Sequence, residues 1–225
     1  MFWGYFLLAV MPVKAPSPVA DSTRVQRYAA YRAHTILPES LRLLVKRHGK
    51  FLFEGLERGL RTQPEDLNEA LIIAETQKIT ALIDQQAQFR TVIGQMGYVS
   101  GLLAIWSDPS IGQDVSVRRG FHHYLNRKLK RFLFVFDGYP RTLPDRTNLS
   151  GYLGNLKAQS SRYGDILRRD YQSVNNNPLH NFDERSGVFG VCSIYFSNLA
   201  STSAQLWYHA WKDASGDLTR TPFVK

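Results

Sequence analysis

Residues 89–110 read FRTVIGQMGYVSGLLAIWSDPS, and the fold turns on this stretch. Its large apolar residues are Phe89, Val92, Ile93, Met96, Val99, Leu102, Leu103 and Trp106. They fall three or four apart, which is helical spacing, and they occupy both flanks of the helix. A second row is small: Gly94, Gly97, Ser100, Gly101 and Ala104. Each Gly costs a helix about 1 kcal/mol relative to Ala. A row of them therefore implies neighbouring helices that approach closely. A helix that is apolar all round is buried all round. The stretch is too short, and too polar at its ends, to span a bilayer. It is expected to be the second half of one long helix or a helix of its own, closed by Asp108-Pro109, at the centre of an all-α domain.

Toward the N-terminus, Leu67, Leu71, Ala74, Ile79, Leu82 and Ile83 continue the helical spacing up to Phe89. Thr62-Gln63-Pro64-Glu65 is the expected start, with Thr62 as cap and Glu65 completing a capping box. Either one helix runs on to Trp106 or two meet at a bend near Gln85 to Phe89. Before that, Pro38 opens a helix with Leu41, Leu44 and Val45 on its apolar stripe, ended by Gly49, and Phe51 to Leu60 forms a short second one. Residues Asp21 to Tyr31 are polar and mixed, which reads as an extended lead-in.

Toward the C-terminus, Asp114 or Ser116 caps a helix through Val117, Phe121, Tyr124, Leu125, Leu129 and Phe132. A loop to about Asn148 follows Phe134-Val135-Phe136-Asp137-Gly138. Ser150 to Tyr171 is the next expected helix, Ser173 to Pro178 a loop, and the last helix runs from near Asp183 to Ala214. No run of period two competes. The expectation is an all-α fold, a single multi-helix bundle of six or seven helices around the buried central helix, over residues 21–225.

The chain has 225 residues, 44% of them hydrophobic and 21% charged, which excludes an intrinsically disordered chain. Lys and Arg number 28 against 19 Asp and Glu, a net charge of +9. That balance suits an anionic lipid surface or a phosphate-containing ligand as partner, and equally a protein that is merely kept soluble by its charge. Residues Met1 to Met11 are almost wholly apolar, and Val13-Lys14-Ala15 and Pro18-Val19-Ala20 look like small-residue cleavage sites. Residues 1–20 therefore read as a signal peptide, with a secreted or periplasmic mature chain beginning near Pro16 or Asp21. The single cysteine, Cys192, excludes an internal disulfide and thiolate-rich zinc sites, and fits a small buried thiol.

Four segments together resemble one known superfamily. They are AHTILPESLRLLVKRH with His34, GYVSGLLAIWSDPS with Asp108, the run FLFVFDGY, and the last helix SGVFGVCSIYFSNLASTSAQLWYHAWKDASGD. Their order and character resemble the zinc-dependent phospholipase C and S1/P1 nuclease superfamily, across about Tyr31 to Asp217. The resemblance implies an α-bundle around clustered zinc ions, held largely by His and Asp or Glu four apart on helices. Residues four apart share a helix face, so both side chains reach one ion. The zincs would then generate a hydroxide and clamp a phosphodiester. This chain departs from the pattern. The central helix has no His, and Gly101 and Ile105, or Ser100 and Ala104, stand where the family would place His and Asp.

The residues left for a reduced zinc site are His34, Asp108, His180 and Glu184. Each has a structural alternative. His34 can be bonded to backbone at a helix end, and Asp108 can be a turn residue. His180 and Glu184, in HNFDE, share a face only if the helix begins early. His209 and Asp213 have the same spacing near a helix end, where a surface ion pair is the alternative. His122 and His123 lie among Arg118, Arg119, Arg127 and Lys128, with no carboxylate nearby in sequence, and are expected to be surface or core-edge residues. The basic run Arg127 to Arg131 reads as a solvated face. No G-x-S-x-G elbow, phosphate loop or specific nucleic-acid motif is present.

Two readings of function follow from the resemblance. The favoured one is an exported helical protein that keeps the phospholipase C-like scaffold without its zinc cluster, as a non-catalytic scaffold or binding protein. The alternative is a metal-dependent phospholipase C or phosphodiesterase with a reduced zinc site. The cofactor is accordingly none or zinc. A third reading, from charge alone, is a basic accessory protein on membranes or polyanions.

Overall fold

The computed structural model of the chain describes residues 23–139 and 146–223. The expected signal peptide lies outside them. Eight α-helices occur among the described residues, in the order α1 (Arg24–His34), α2 (Glu39–Arg47), α3 (Gly49–Gly59), α4 (Glu69–Asp84), α5 (Phe89–Trp106), α6 (Val115–Lys128), α7 (Arg146–Gln172) and α8 (Gly187–Asp213). There is no strand among them, so the all-α class stands. No described helix is long and apolar enough to cross a membrane.

Helix α5 is the hub that its sequence implies. It packs on α1, α3, α4 and α8, and Val92, Ile93, Met96, Val99, Leu102 and Leu103 are all buried. Its row of small residues meets a matching row on α3. A Cβ on Gly97 would stand 1.9 Å from the Leu52 carbonyl oxygen, and one on Gly55 would stand 1.9 Å from that of Gly94. Only hydrogen fits at this crossing, so the propensity lost at each Gly is exchanged for backbone contact along the helix pair. On the opposite side α5 is tied to α8. Ser100 Oγ donates to Ser203 Oγ at 2.9 Å, and the Trp207 indole donates to the Met96 carbonyl at 3.0 Å.

Several expectations are corrected. Residues 24–34 form a helix and not an extended lead-in. Val25, Ala29, Ala30 and Ala33 make a narrow buried stripe, set among Arg24, Arg27 and Arg32, and this stripe packs on α8. Tyr28 stacks there on Phe196 with ring centroids 5.5 Å apart. Helix α4 begins at Glu69 and not at Thr62. Leu67 first turns into the core, and Asn68 then caps the helix, its Oδ1 accepting from the Leu71 amide at 2.9 Å. Between α4 and α5 the chain breaks rather than bends, with Gln86 at φ 55°. Phe89, at the start of α5, is exposed. Helix α8 begins at Gly187, capped by Ser186 Oγ accepting from the Phe189 amide, later than the expected start near Asp183.

The run FLFVFDGY is extended and lies along α8. Ser197 Oγ donates to the Leu133 carbonyl (3.0 Å) and accepts from the Val135 amide (3.3 Å). Ser201 Oγ donates to the Val135 carbonyl and Gln205 Nε2 to the Gly138 carbonyl. Side chains of a helix thus take the backbone partners that a neighbouring strand would supply. Phe132 is buried under this segment, whereas Leu133 and Val135 face out.

Candidate functional site

The reversal from α5 into α6 builds the most chemically loaded point among the described residues. Asp108 follows the last turn of α5. Its Oδ1 accepts from the Ser110 amide (2.8 Å) and the Ser110 hydroxyl (2.6 Å), an Asx turn that folds the chain back. The returning α6 carries His122 against the same carboxylate, with Nε2 3.0 Å from Oδ2. Asp108 is only 8% exposed. Burial by itself would raise its carboxyl pKa. The His122 charge and the hydrogen bonds from His122 and Ser110 outweigh burial, and the carboxyl sits below its ordinary value.

The pair lines a cavity of about 480 Å3 between α1, α3, α5 and α6. Arg61 and Arg118 contribute guanidinium groups, and neither makes an ion pair with any described residue. Glu57, on the same wall, is spent on Arg27. The Tyr195 hydroxyl donates to the Ala104 carbonyl at 3.1 Å, and burial pushes its pKa well above the ordinary value. Gln26 is almost wholly buried, and its Oε1 has no hydrogen-bond partner among the described residues. The cavity thus offers two cations free of described carboxylates and an imidazole oriented by a buried carboxylate.

Ser110, His122 and Asp108 are in contact, yet they are not wired for nucleophilic catalysis. In a working triad the serine hydroxyl donates to the histidine, and the carboxylate orients the other ring nitrogen. Here the Ser110 hydroxyl donates to Asp108, the His122 nitrogen facing it is the one bonded to the same carboxylate, and Ser110 Oγ lies 3.5 Å from that nitrogen.

The four sequence-derived metal candidates fall in separate settings. His34 ends α1, and its Nδ1–H donates to the Tyr31 carbonyl at 2.6 Å. Asp108 is held by Ser110 and His122. His180 packs edge-on against Phe182 with centroids 4.6 Å apart, and Glu184 reaches Arg131 at 3.6 Å. The HNFDE segment lies wholly before α8, so no helix face aligns His180 with Glu184. His209 is buried and Asp213 exposed, so the two do not sit together on the surface as expected. A catalytic zinc takes three protein ligands. Beside Asp108, His122 is turned onto the carboxylate itself. Among the described residues no three His, Cys, Asp or Glu side chains gather into such a set. The described residues do not gather into the zinc centre that the resemblance implies.

His122 is the residue that sequence reasoning missed. Its neighbours on α6 are cations, which made it look isolated from carboxylates. Asp108 is 14 positions away, beyond helical spacing, and reaches it only through the chain reversal. The usable signal was Asp108-Pro109-Ser110, a turn that sends the chain back along itself. Comparisons with protein-family models, with curated proteins and with solved structures find no match to the chain.

Proposed function

We propose that the chain is a non-catalytic binding protein on a phospholipase C-like helical scaffold, exported from the cell, and that its cavity takes a small phosphate-bearing ligand. The observation that carries this reading is the composition of the cavity wall. Arg61 and Arg118 stand without a carboxylate partner among the described residues, and the one buried carboxylate is consumed in holding His122. Guanidinium groups match phosphate oxygens in charge and in the geometry of their N–H donors. His122, held by Asp108, lines the same wall. Loss of His from the central helix and the separate settings of His34, His180 and Glu184 favour binding over zinc-dependent hydrolysis. Export rests on the apolar residues Met1 to Met11 and the small-residue sites after them.

The test is calorimetric titration of the purified chain with inorganic phosphate and with glycerol 3-phosphate, alongside elemental analysis for zinc. Both anions are expected to bind, and Arg118→Ala should weaken both by roughly tenfold. Two or three zincs per chain, or phosphate binding indifferent to Arg118→Ala, would remove the proposal.

A further inference from the structure

Residues 132–137 alternate strictly. Phe132 is buried, Phe134 and Phe136 are half-buried, and Leu133, Val135 and Asp137 are exposed. Period two in burial is the mark of a strand, yet no strand lies beside this one among the described residues. Its inner rings are packed. Phe134 stacks on Phe136 with centroids 6.3 Å apart and has the Arg32 guanidinium 5.2 Å from its own, and Phe136 meets Phe223 edge-on at 5.6 Å. In extended backbone the N–H and C=O of one residue point to one side, and those of the next residue to the other. Side chains of α8 occupy the first side, where Ser197 and Ser201 bond the Leu133 carbonyl and both backbone groups of Val135. The backbone groups of Phe134 and Phe136 therefore point away from α8, and no described residue bonds to them. The open edge ends there. Phe132 is buried, and at Gly138 the carbonyl is bonded to Gln205 and φ is 99°. Leu133 and Val135 project beside this edge, and Val135 shares a groove with Ile194, an exposed residue of α8. Lys130 and Arg131 precede the segment and Asp137 closes it, and neither Lys130 nor Asp137 makes an ion pair with a described residue. An unpaired edge flanked by exposed aliphatic side chains is a template for another extended chain.

We infer that this edge pairs with the same edge of a second copy of the chain, antiparallel and about a two-fold axis at Val135. The free backbone groups fix the register. With Val135 opposite Val135, Phe134 of each copy stands opposite Phe136 of the other, and each such pair exchanges both N–H···O=C bonds. Val135 then takes the closely spaced position without hydrogen bonds, where the two side chains cover each other. A shift by one residue would set outward groups against groups already bonded to α8. Charge selects the direction. Antiparallel alignment brings Asp137 of each copy toward Lys130 and Arg131 of the other, whereas parallel alignment would bring like charges together. A two-fold contact uses the same patch on both copies and so stops at a dimer. Two short edges bury little surface, and the dimer is accordingly weak.

The experiment is sedimentation equilibrium of the full chain from about 10 μM to about 500 μM, with amide hydrogen exchange at both ends of that range. A monomer–dimer equilibrium with a dissociation constant of about 100 μM is expected. At the higher concentration the Phe134 and Phe136 amides should exchange about threefold more slowly, while the Val135 amide, already bonded to Ser197, stays within about twofold. Val135→Lys keeps the backbone bonds to α8 and sets two cations face to face at the axis, so it should weaken the dimer by about tenfold or more. Val115→Lys replaces an exposed apolar residue at the start of α6 and should leave the dimer within about twofold. A chain that stays monomeric across the range overturns the pairing. So does a dimer that the two variants weaken alike, or one in which Phe134 and Phe136 exchange as fast as in the monomer. Assemblies that keep growing past the dimer overturn the two-fold register. Far-ultraviolet circular dichroism and a thermal melt of each variant separate loss of pairing from loss of fold.

Discussion

Asp108 Oδ2 lies 3.0 Å from His122 Nε2, across the reversal that joins the central helix to the helix after it. A contact between the end of α5 and the middle of α6 is thereby made through a hydrogen bond to a carboxylate that is almost wholly buried. Its remaining oxygen is satisfied by Ser110, so the carboxylate is fully engaged. The pair is at once a joint in the fold and one wall of the candidate site.

The joint makes stability depend on acid. The Asp108 carboxyl sits below its ordinary value of 3.8, because the His122 charge and the bonds from His122 and Ser110 outweigh burial. A carboxyl depressed in the folded state stabilises above its unfolded pKa, and that contribution is lost as pH falls through the folded value. Asp108→Asn should therefore cost about 1–3 kcal/mol near neutral pH. It should cost progressively less as pH falls below 3.8 and through the folded value, as the wild type loses the same term. Urea denaturation at several pH values checks this, and an unchanged gap between the two proteins down to strong acid would contradict it.

The α3–α5 crossing and the outer face of α7 predict opposite signs for the same substitution at two glycines. Gly97→Ala drives a methyl into the Leu52 backbone, with Cβ 1.9 Å from a carbonyl oxygen, and neither backbone can give way cheaply. A loss of about 3 kcal/mol or more is expected, at the upper end of overpacking costs. Gly151 lies on the exposed side of α7, and a methyl added there would meet nothing within 4 Å. Gly151→Ala should stabilise by about 0.5–1 kcal/mol through helix propensity. Thermal melts of the two variants decide it, and a stable Gly97→Ala protein would mean that the helices cross elsewhere.

The small-residue row was legible in the sequence because packing at helical spacing leaves a pattern in one element. The partner row was not, since a single chain shows that α5 needs a close neighbour without naming α3. The same limit explains α1. Its stripe is built of alanines between arginines, and small residues carry little hydrophobic signal, so composition outweighed spacing. The candidate cavity was the least legible part. Its residues come from α1, α3, α5, α6 and α8 and from the turns between them, and the charges that define it, Arg61 and Arg118, look like ordinary surface charges in sequence. Asp108 alone stood out, and its role as the anchor of His122 depends on a turn geometry that local pattern only hints at.

Cys192 should behave as a closed thiol. It is buried in α8, and burial pushes its pKa well above the ordinary value, so little thiolate is present at neutral pH. Labelling with a maleimide or with dithiobisnitrobenzoate should be slow in the folded chain and complete in denaturant, with one thiol per chain. The folded-state rate then measures opening of the α8 core. Rapid stoichiometric labelling of the folded protein would show that this part of the core is not closed.

Ser197 is expected to hold the extended segment to α8. Its hydroxyl donates to the Leu133 carbonyl and accepts from the Val135 amide, so one side chain satisfies two backbone groups. Ser197→Ala removes both partners at once. Leu133 and Val135 are 77% and 59% exposed, so water replaces part of what is lost, and the global cost should stay near about 1 kcal/mol. The local effect should be larger. Hydrogen exchange at the Val135 amide should accelerate by roughly tenfold or more, while the Trp207 indole, which donates to Met96 deep in the core, stays protected. Ser201 and Gln205 continue to hold the Val135 and Gly138 carbonyls, so the segment should loosen at its start and remain attached at its end. Uniform acceleration across the segment and α8 would mean that the two unfold together, and that the side-chain bonds are not what holds the segment in place.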